Sequence, residues 1–292
     1  MEGQLWKRIL MILAQVCKRS KRACEDFSDE EIVRVYYWAV IHDRPISWAC
    51  QAKNWPLYAR RKALPSDTAM SRRQRTANVI ALLNAVEQRV TRPASGGLYW
   101  MIDGKPLVIG GCSKDRQAGY GKAAASKAKG YKLHAIIAPG GSVAAWRIAP
   151  MNKDERVMAK RLLKTAEIQG YVVGDANYDS NYLHQICDER GNCQFVTPRR
   201  YGPGVNVGHR AQSPGRLRSI ALLEDPCPQF GEQLLQQRSA IERCFANATN
   251  WGGGLTHLPA WVRTHRRVRL WVQAKLTLTA LRRAIPTATY DN

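Results

Sequence analysis

Two aspartates follow directly after short apolar segments, and this pattern suits metal-dependent chemistry. Asp103 follows Leu98-Tyr99-Trp100-Met101-Ile102, and Asp175 follows Tyr171-Val172-Val173-Gly174. In an α/β sheet, groups at the ends of strands can gather at one edge. If the two strands lie side by side, the two carboxylates come together although they are far apart in the chain. Two adjacent carboxylates repel each other unless cations lie between them, and hard oxygen ligands suit Mg²⁺ or Mn²⁺.

A third acid from a covering helix would complete a site for two metal ions. Glu242 is the best candidate, because it lies in the middle of a predicted helix with Arg238 one turn earlier on the same face. The alternative for Asp103 alone is an ordinary turn, since Asp-Gly is a common turn pair. Asp179 follows Tyr178 at the start of a predicted helix and is therefore interpreted as an N-cap rather than a ligand.

The charge of the chain indicates a polyanionic partner. Its 292 residues include 45 Lys and Arg against 23 Asp and Glu, which gives a formal net charge of +22. This excess favours nucleic acid over a basic surface kept only for solubility. No apolar stretch approaches the roughly 20 residues that span a bilayer, so we predict no membrane association. The eight cysteines are scattered, as in reduced cytosolic proteins, which favours a cytoplasmic or nucleoid-associated protein.

Residues 1–95 are predicted to form an all-helical module. Ser28-Asp29-Glu30-Glu31 is a capping box that opens a helix over residues 32–41. Further along, Ser66 and Asp67 cap a short helix that carries Ser71-Arg72-Arg73-Gln74-Arg75. Arg72, Arg73 and Arg75 are predicted to contact DNA, whereas the alternative is a packing module whose arginines are merely solvated.

Residues 96–292 change to an α/β pattern. The predicted order is three strands, a helix, a strand, a helix and a fifth strand, followed by an insertion at about 198–228 and two helices. Residues 112–129 are basic and rich in small residues, and they are predicted to form a loop. On the second strand, Lys132 and His134 share one face. Lys132 could neutralise a phosphate, and His134 is interpreted as a structural or phosphate-facing group rather than a base.

Three segments of this region resemble the signature blocks of DDE transposases. They are Met101–Gly104, Val173–Ser180 and Arg238–Phe245. The similarity is to insertion-sequence transposases of the broad IS-four type, and it covers about residues 98–285. It implies an RNase H-like catalytic core, which here means a mixed five-stranded sheet flanked by helices. Gly130-Tyr131-Lys132-Leu133-His134 also resembles the second strand of that core.

The resemblance implies that Asp103, Asp175 and Glu242 bind two Mg²⁺ or Mn²⁺ ions and catalyse phosphoryl transfer on DNA. Arg238 matches the arginine of the third block, and Arg243 is a further expected DNA contact. Two positions depart from the family pattern: Leu235 stands where the family has tyrosine, and Thr249 stands where it has lysine. The family lysine approaches DNA near the scissile phosphate, and the threonine in this chain carries no positive charge for that contact.

The predicted activity is cleavage at the inverted-repeat ends of an insertion sequence, followed by strand transfer into target DNA by a dimer in the bacterial nucleoid. Two alternatives remain open from the sequence. One is an RNase H-like nuclease that hydrolyses DNA without strand transfer. The other is a transposase-derived DNA-binding protein that has lost catalysis.

Overall fold

The computed structural model describes residues 2–17, 26–60, 63–91, 97–123, 126–200, 212–224, 229–250, 255 and 257–284. These residues fall into two compact units. The first comprises residues 1–91, 248–255 and 270–292, and the second comprises residues 92–247 and 256–269. The division into a 1–95 module and a 96–292 catalytic domain stays a prediction about function. Within the described ranges, no helix is long and apolar enough to cross a membrane.

The first unit is helical. Its complete helices are α1 (Glu2–Val16), α2 (Asp29–Ile41), α3 (Ile46–Ala49), α4 (Asp67–Arg73) and α5 (Ala77–Thr91). Ser28 caps α2 by accepting a hydrogen bond from the Glu31 backbone N–H, and the Glu31 carboxylate accepts one from the Ser28 N–H. The predicted capping box is therefore present. Residues 270–283 of the last helix also belong to this unit, where Gln273 donates hydrogen bonds to Asn84 and Glu87 of α5.

The second unit is built around a six-stranded mixed sheet. Its strands are β1 (Tyr99–Val108), β2 (Gly119–Ala123), β3 (Ser126–Ile137), β4 (Val143–Pro150), β5 (Gly170–Val173) and β6 (Cys193–Val196). Strand β1 pairs antiparallel with β3 and parallel with β5, which pairs parallel with β6. Strand β3 also pairs antiparallel with β4 and β2. The five predicted strands are all present.

Strand β2 is the additional strand, and it lies inside the segment 112–129 that was predicted to be a loop. It pairs with the first part of β3. Its exposed Tyr120 and the alternating Gly and Lys residues give no apolar period, so only the pairing with β3 defines it. The Cβ of any residue replacing Gly121 would lie 2.5 Å from the backbone oxygen of Met151, which explains the small residue there.

Six further helices occur along the described part of the chain, and the first three of them pack on the sheet. They are α6 (Glu155–Thr165), α7 (Asn181–Arg190), α8 (Pro214–Glu224), α9 (Gln229–Gln236), α10 (Ser239–Asn250) and α11 (His265–Arg283). In α6, Met158, Ala159, Leu162 and Leu163 are buried at helical spacing, so one stripe packs on the sheet. This stripe joins Trp100, Ile102 and Val172 in the main core. The predicted insertion contains α8, and the helix predicted over residues 230–247 is divided into α9 and α10.

Candidate active site

The pairing of β1 with β5 brings Asp103 and Asp175 together. The parallel register joins Met101 to Val173, and each aspartate lies two residues beyond its member of this pair. Because side chains alternate along extended backbone, both aspartates lie on the same side as Met101 and Val173. Asp103 lies within β1, opposite Ala135 of β3, rather than at the end of the strand. Strand β5 stops at Val173, so Asp103 lies just beyond the last residue pair that β1 forms with β5.

The electrostatics of Asp103 agree with this placement. Burial raises the pKa of its carboxyl to about 6, against a hydrogen bond of 2.7 Å from the Gly104 backbone N–H. The carboxylates of Asp175 and Glu155 raise the pKa of Asp103 further, whereas the guanidinium of Arg238 lowers it. Two further carboxylates therefore act on Asp103, and negative charge at this position suits a divalent cation.

Glu155 is a neighbour of Asp103 that was not predicted from the sequence. It lies in the first turn of α6, directly after the N-cap Asp154. Its position in the first turn of a helix resembles an ordinary dipole-stabilising acid, and only the fold brings it to Asp103. The Glu155 carboxylate accepts a hydrogen bond from the ammonium of Lys132, whose side chain is 11% exposed. Lys132, predicted to contact DNA, is therefore engaged in an ion pair within the chain.

The neighbours of Lys132 explain two small features of the site. A Cβ at position 104 would lie 2.9 Å from Lys132 Cδ, so glycine there leaves room for the lysine side chain to cross β1. His134, two residues along β3, is 1% exposed, and neither ring nitrogen has a hydrogen-bond partner within the described residues. Burial, followed by the charge of Lys132, lowers the pKa of His134 to about 4. The imidazole is therefore neutral at neutral pH.

The loop after β5 is held by a buried ion pair. Asp175 caps a 3₁₀ turn (Ala176–Tyr178) by accepting a hydrogen bond of 2.9 Å from the Asn177 N–H. Asp179 ends that turn and accepts two hydrogen bonds of 2.7 Å from Arg216 of α8. The prediction that Asp179 is an N-cap was wrong, because the N-cap of α7 is Ser180. The Asp179 carboxylate instead forms an ion pair with Arg216, which lies in the predicted insertion.

The ionisation of Asp179 follows from these partners. Burial by itself would raise its pKa, but hydrogen bonds from Arg216, His184 and the Arg200 N–H lower it well below the usual range. The side chains of Asp179 and Arg216 are 5% and 7% exposed. This closed pair ties α8 to the loop that carries Asp175. It was not visible in the sequence because 37 positions separate the two residues.

Two side-chain contacts connect α10 and the turn before it with β1. The Tyr99 hydroxyl donates a hydrogen bond of 2.9 Å to Gln237, just before α10, and the Lys105 ammonium lies 6.0 Å from the centre of the Phe245 ring. Asp103 lies between Tyr99 and Lys105 in the chain, and Glu242 lies between Gln237 and Phe245.

Glu242 is nevertheless exposed and does not contribute to the pKa of Asp103. Within the described residues, no three His, Cys, Asp or Glu side chains form a cluster that could hold a metal ion. Arg238 is half-buried beside Asp103, whereas Arg243 is exposed and donates a hydrogen bond of 3.0 Å to Ser239. Leu235 is half-buried, and the side chain of Thr249 lies outside the described residues.

The three arginines predicted to contact DNA from the helical unit differ in their surroundings. Arg73 donates a hydrogen bond of 2.6 Å to the Asp29 carboxylate and one of 2.9 Å to the Phe27 carbonyl. It therefore joins α4 to the start of α2 and is used in packing. Arg72 and Arg75 are exposed and available to a phosphate backbone.

Comparisons with known proteins were made by sequence and by structure. The model of a family described as the transposase DDE domain matches residues 100–275. A search of curated proteins found no significant match. A solved structure of the piggyBac transposase synaptic complex with hairpin DNA is similar over 99% of this chain and 83% of the other, with 10% identity and a TM-score of 0.38.

The family match begins at Trp100, just before Asp103, and extends into α11. It therefore includes the sheet, the paired aspartates and α10. Because it covers more than half of the chain, the protein belongs to the transposase DDE domain family and is a DNA transposase, an enzyme that cuts and transposes DNA.

Proposed function

We propose that the protein cleaves the inverted-repeat ends of an insertion sequence and joins them to target DNA, using Asp103, Asp175 and Glu242. The observation that carries this proposal is the parallel register of β1 and β5, which supports a shared site for the two aspartates. Glu242 is the proposed third acid because it lies between Gln237 and Phe245, whose side chains contact residues of β1 on either side of Asp103. Its exposed carboxylate can turn toward a ligand without leaving a buried ion pair.

The donor set fits a divalent cation. Burial is the main cause of the raised pKa of Asp103, and the charges of Asp175 and Glu155 raise it further. A hard cation with oxygen ligands stabilises such a carboxylate in its ionised form. We propose that Asp103 and Asp175 hold two Mg²⁺ or Mn²⁺ ions with Glu242. Bound there, the ions would lower the pKa of an attacking water and stabilise the leaving 3′ oxygen.

The chain's own groups orient the reaction. The Gly104 N–H holds one oxygen of Asp103, and the Asn177 N–H holds one oxygen of Asp175. The Asn177 side-chain amide donates a hydrogen bond of 3.2 Å to the other oxygen of Asp175. The second oxygen of Asp103 accepts no hydrogen bond from the described residues and is left for a ligand. Arg238 supplies positive charge beside Asp103, where it can bind a phosphate oxygen of the DNA. No protein nucleophile is needed, since water and then the freed 3′-hydroxyl attack phosphorus.

DNA binding extends beyond this site in the proposal. Arg72 and Arg75 are exposed in the helical unit, and Arg243 is exposed on α10. The net charge of +22 supports wide phosphate contact. Bringing two element ends together favours a dimer on DNA, and this substrate favours a nucleoid location in a bacterial cell.

The test compares four variants on duplexes that carry the inverted repeats flanking the coding region. We expect Asp103→Asn, Asp175→Asn and Glu242→Gln to bind DNA normally and to lose Mg²⁺-dependent cleavage by at least about 10³-fold, as loss of transition-state stabilisation of about 4 kcal/mol predicts. Glu232→Gln on α9, an exposed acid outside the site, is the matched control and should cleave normally.

The variant Glu155→Gln tests whether Glu155 or Glu242 is the third acid of the site. If this variant loses cleavage while Glu242→Gln retains it, Glu155 is the third ligand and the assignment of Glu242 is wrong. Strand-transfer products with target DNA separate a transposase that completes both steps from a nuclease that only hydrolyses.

A further inference from the structure

We propose that Lys105 binds a phosphate of the DNA strand that lies at Asp103. This inference rests on the proposed function and adds a substrate-binding residue to the same site. Lys105 lies two residues after Asp103 in β1. Side chains at this spacing share a face of the sheet, about 7 Å apart. An ammonium at that distance can bind one oxygen of a phosphate while the site formed by the carboxylates binds the other oxygens of the same phosphate.

The surroundings of Lys105 keep its ammonium available at the site. Within the described part of the chain, no Asp or Glu carboxylate lies within 4.0 Å of its nitrogen, the limit for an ion pair. Lys132 is the informative contrast. Lys105 is paired with Leu133, the neighbour of Lys132 on β3, so the side chains of Lys105 and Lys132 lie on opposite faces of the sheet. The Lys132 ammonium donates a hydrogen bond to Glu155. Of these two lysines near Asp103, only Lys105 is without an ion-pair partner.

The position of the ammonium is defined by the fold. The nitrogen lies 6.0 Å from the centre of the Phe245 ring of α10, at the limit of a cation–π contact. This contact keeps the side chain between β1 and α10, the two elements that carry Asp103 and Glu242. A half-buried ammonium without a carboxylate is poorly solvated, so a phosphate that replaces its lost water binds favourably.

The experiment uses Lys105→Met, which keeps the side-chain length over Phe245 and removes the charge. Affinity for the inverted-repeat duplex is measured from 50 to about 300 mM salt without divalent ions. One lost phosphate contact should reduce the slope of log K against log salt by about 0.9. Cleavage in Mg²⁺ should fall about 10-fold to 100-fold, the range for a hydrogen bond to a charged group. Lys105→Arg should restore most of both.

A modified substrate shows whether Lys105 acts through a phosphate. Replacing the phosphates near the cleavage site one at a time by neutral methylphosphonates should identify one position that weakens wild-type binding but leaves Lys105→Met unaffected. Lys164→Ala, an exposed lysine of the last turn of α6, is the matched control for loss of one positive charge. It should cleave normally, and every methylphosphonate that weakens binding by the wild type should also weaken binding by this variant.

The outcomes separate this inference from the proposed function. If the wild-type protein binds DNA but does not cleave it, the proposed function fails. The salt slope and the methylphosphonate scan then still test whether Lys105 binds a phosphate. If the wild-type protein cleaves and Lys105→Met has the same salt slope and rate, the inference is wrong. A Lys105→Met variant that changes only the pH profile of cleavage would instead indicate that Lys105 acts on Asp103 alone, and this too would overturn it.

Discussion

Replacing Asp103 by asparagine should make the folded protein more stable while it abolishes cleavage. The pKa of Asp103 is raised from 3.8 to about 6 by burial and by the neighbouring carboxylates. A carboxyl whose pKa is higher in the folded state favours folding when protonated and opposes it when ionised. The penalty is therefore absent below about pH 4, grows as the pH rises to about 6, and is constant above that.

The magnitude follows from the difference between the two pKa values. It corresponds to about 3 kcal/mol of free energy of unfolding above pH 7. Asparagine has nearly the same shape, and its side-chain oxygen can still accept the hydrogen bond from the Gly104 N–H. For a chain of 292 residues the unfolding entropy is about 0.6 kcal/mol per kelvin, so Tm should rise by up to about 5 °C.

The assay is thermal and denaturant unfolding of wild type and Asp103→Asn in EDTA, at pH 8 and at pH 4. We expect a clear stabilisation at pH 8 and almost none at pH 4, where the wild-type carboxyl is protonated in the folded protein. Adding Mg²⁺ at pH 8 should raise the Tm of the wild type more than that of the variant. A destabilised variant at pH 8, or equal differences at the two pH values, would refute the reasoning.

Two further predictions concern the elements that support the site and the helical unit. Arg216→Met leaves the buried carboxylate of Asp179 without its guanidinium, and it should lower stability by about 3–5 kcal/mol and accelerate hydrogen exchange in residues 175–179. The double variant with Asp179→Asn should recover part of this loss, and unchanged exchange in Arg216→Met would contradict a supporting role. Ser28→Ala removes the N-cap of α2 and should cost about 1 kcal/mol in denaturant unfolding. An equal cost in Ser47→Ala, a serine that caps no helix, would argue against the capping explanation.

Local patterns in the sequence determined most of the elements. The five predicted strands are apolar segments that end at glycine, proline or aspartate, and such segments carry their own signal. The capping box at Ser28 is also a local feature. The family membership was likewise predicted from three short segments and is confirmed by the match over residues 100–275.

Features that depend on distant partners were missed. Strand β2 lacks an apolar period and exists because β3 offers it a partner. Helix α8 in the predicted insertion is held by Arg216 and Asp179, whose types alone give no indication of pairing. Arg73 lies in a basic segment of the kind that contacts DNA, yet its guanidinium binds Asp29.

The sequence by itself determined that Asp103 and Asp175 stand beside buried strands and that the chain carries a large positive charge. Only the tertiary structure decided which groups surround Asp103. Strand pairing fixed its distance from Asp175, and helix packing brought Glu155 and Arg238 to it while it left Glu242 exposed. The physical reason is that the electrostatic energy of a buried carboxylate depends on desolvation and on charges within a few ångströms, and sequence separation fixes neither.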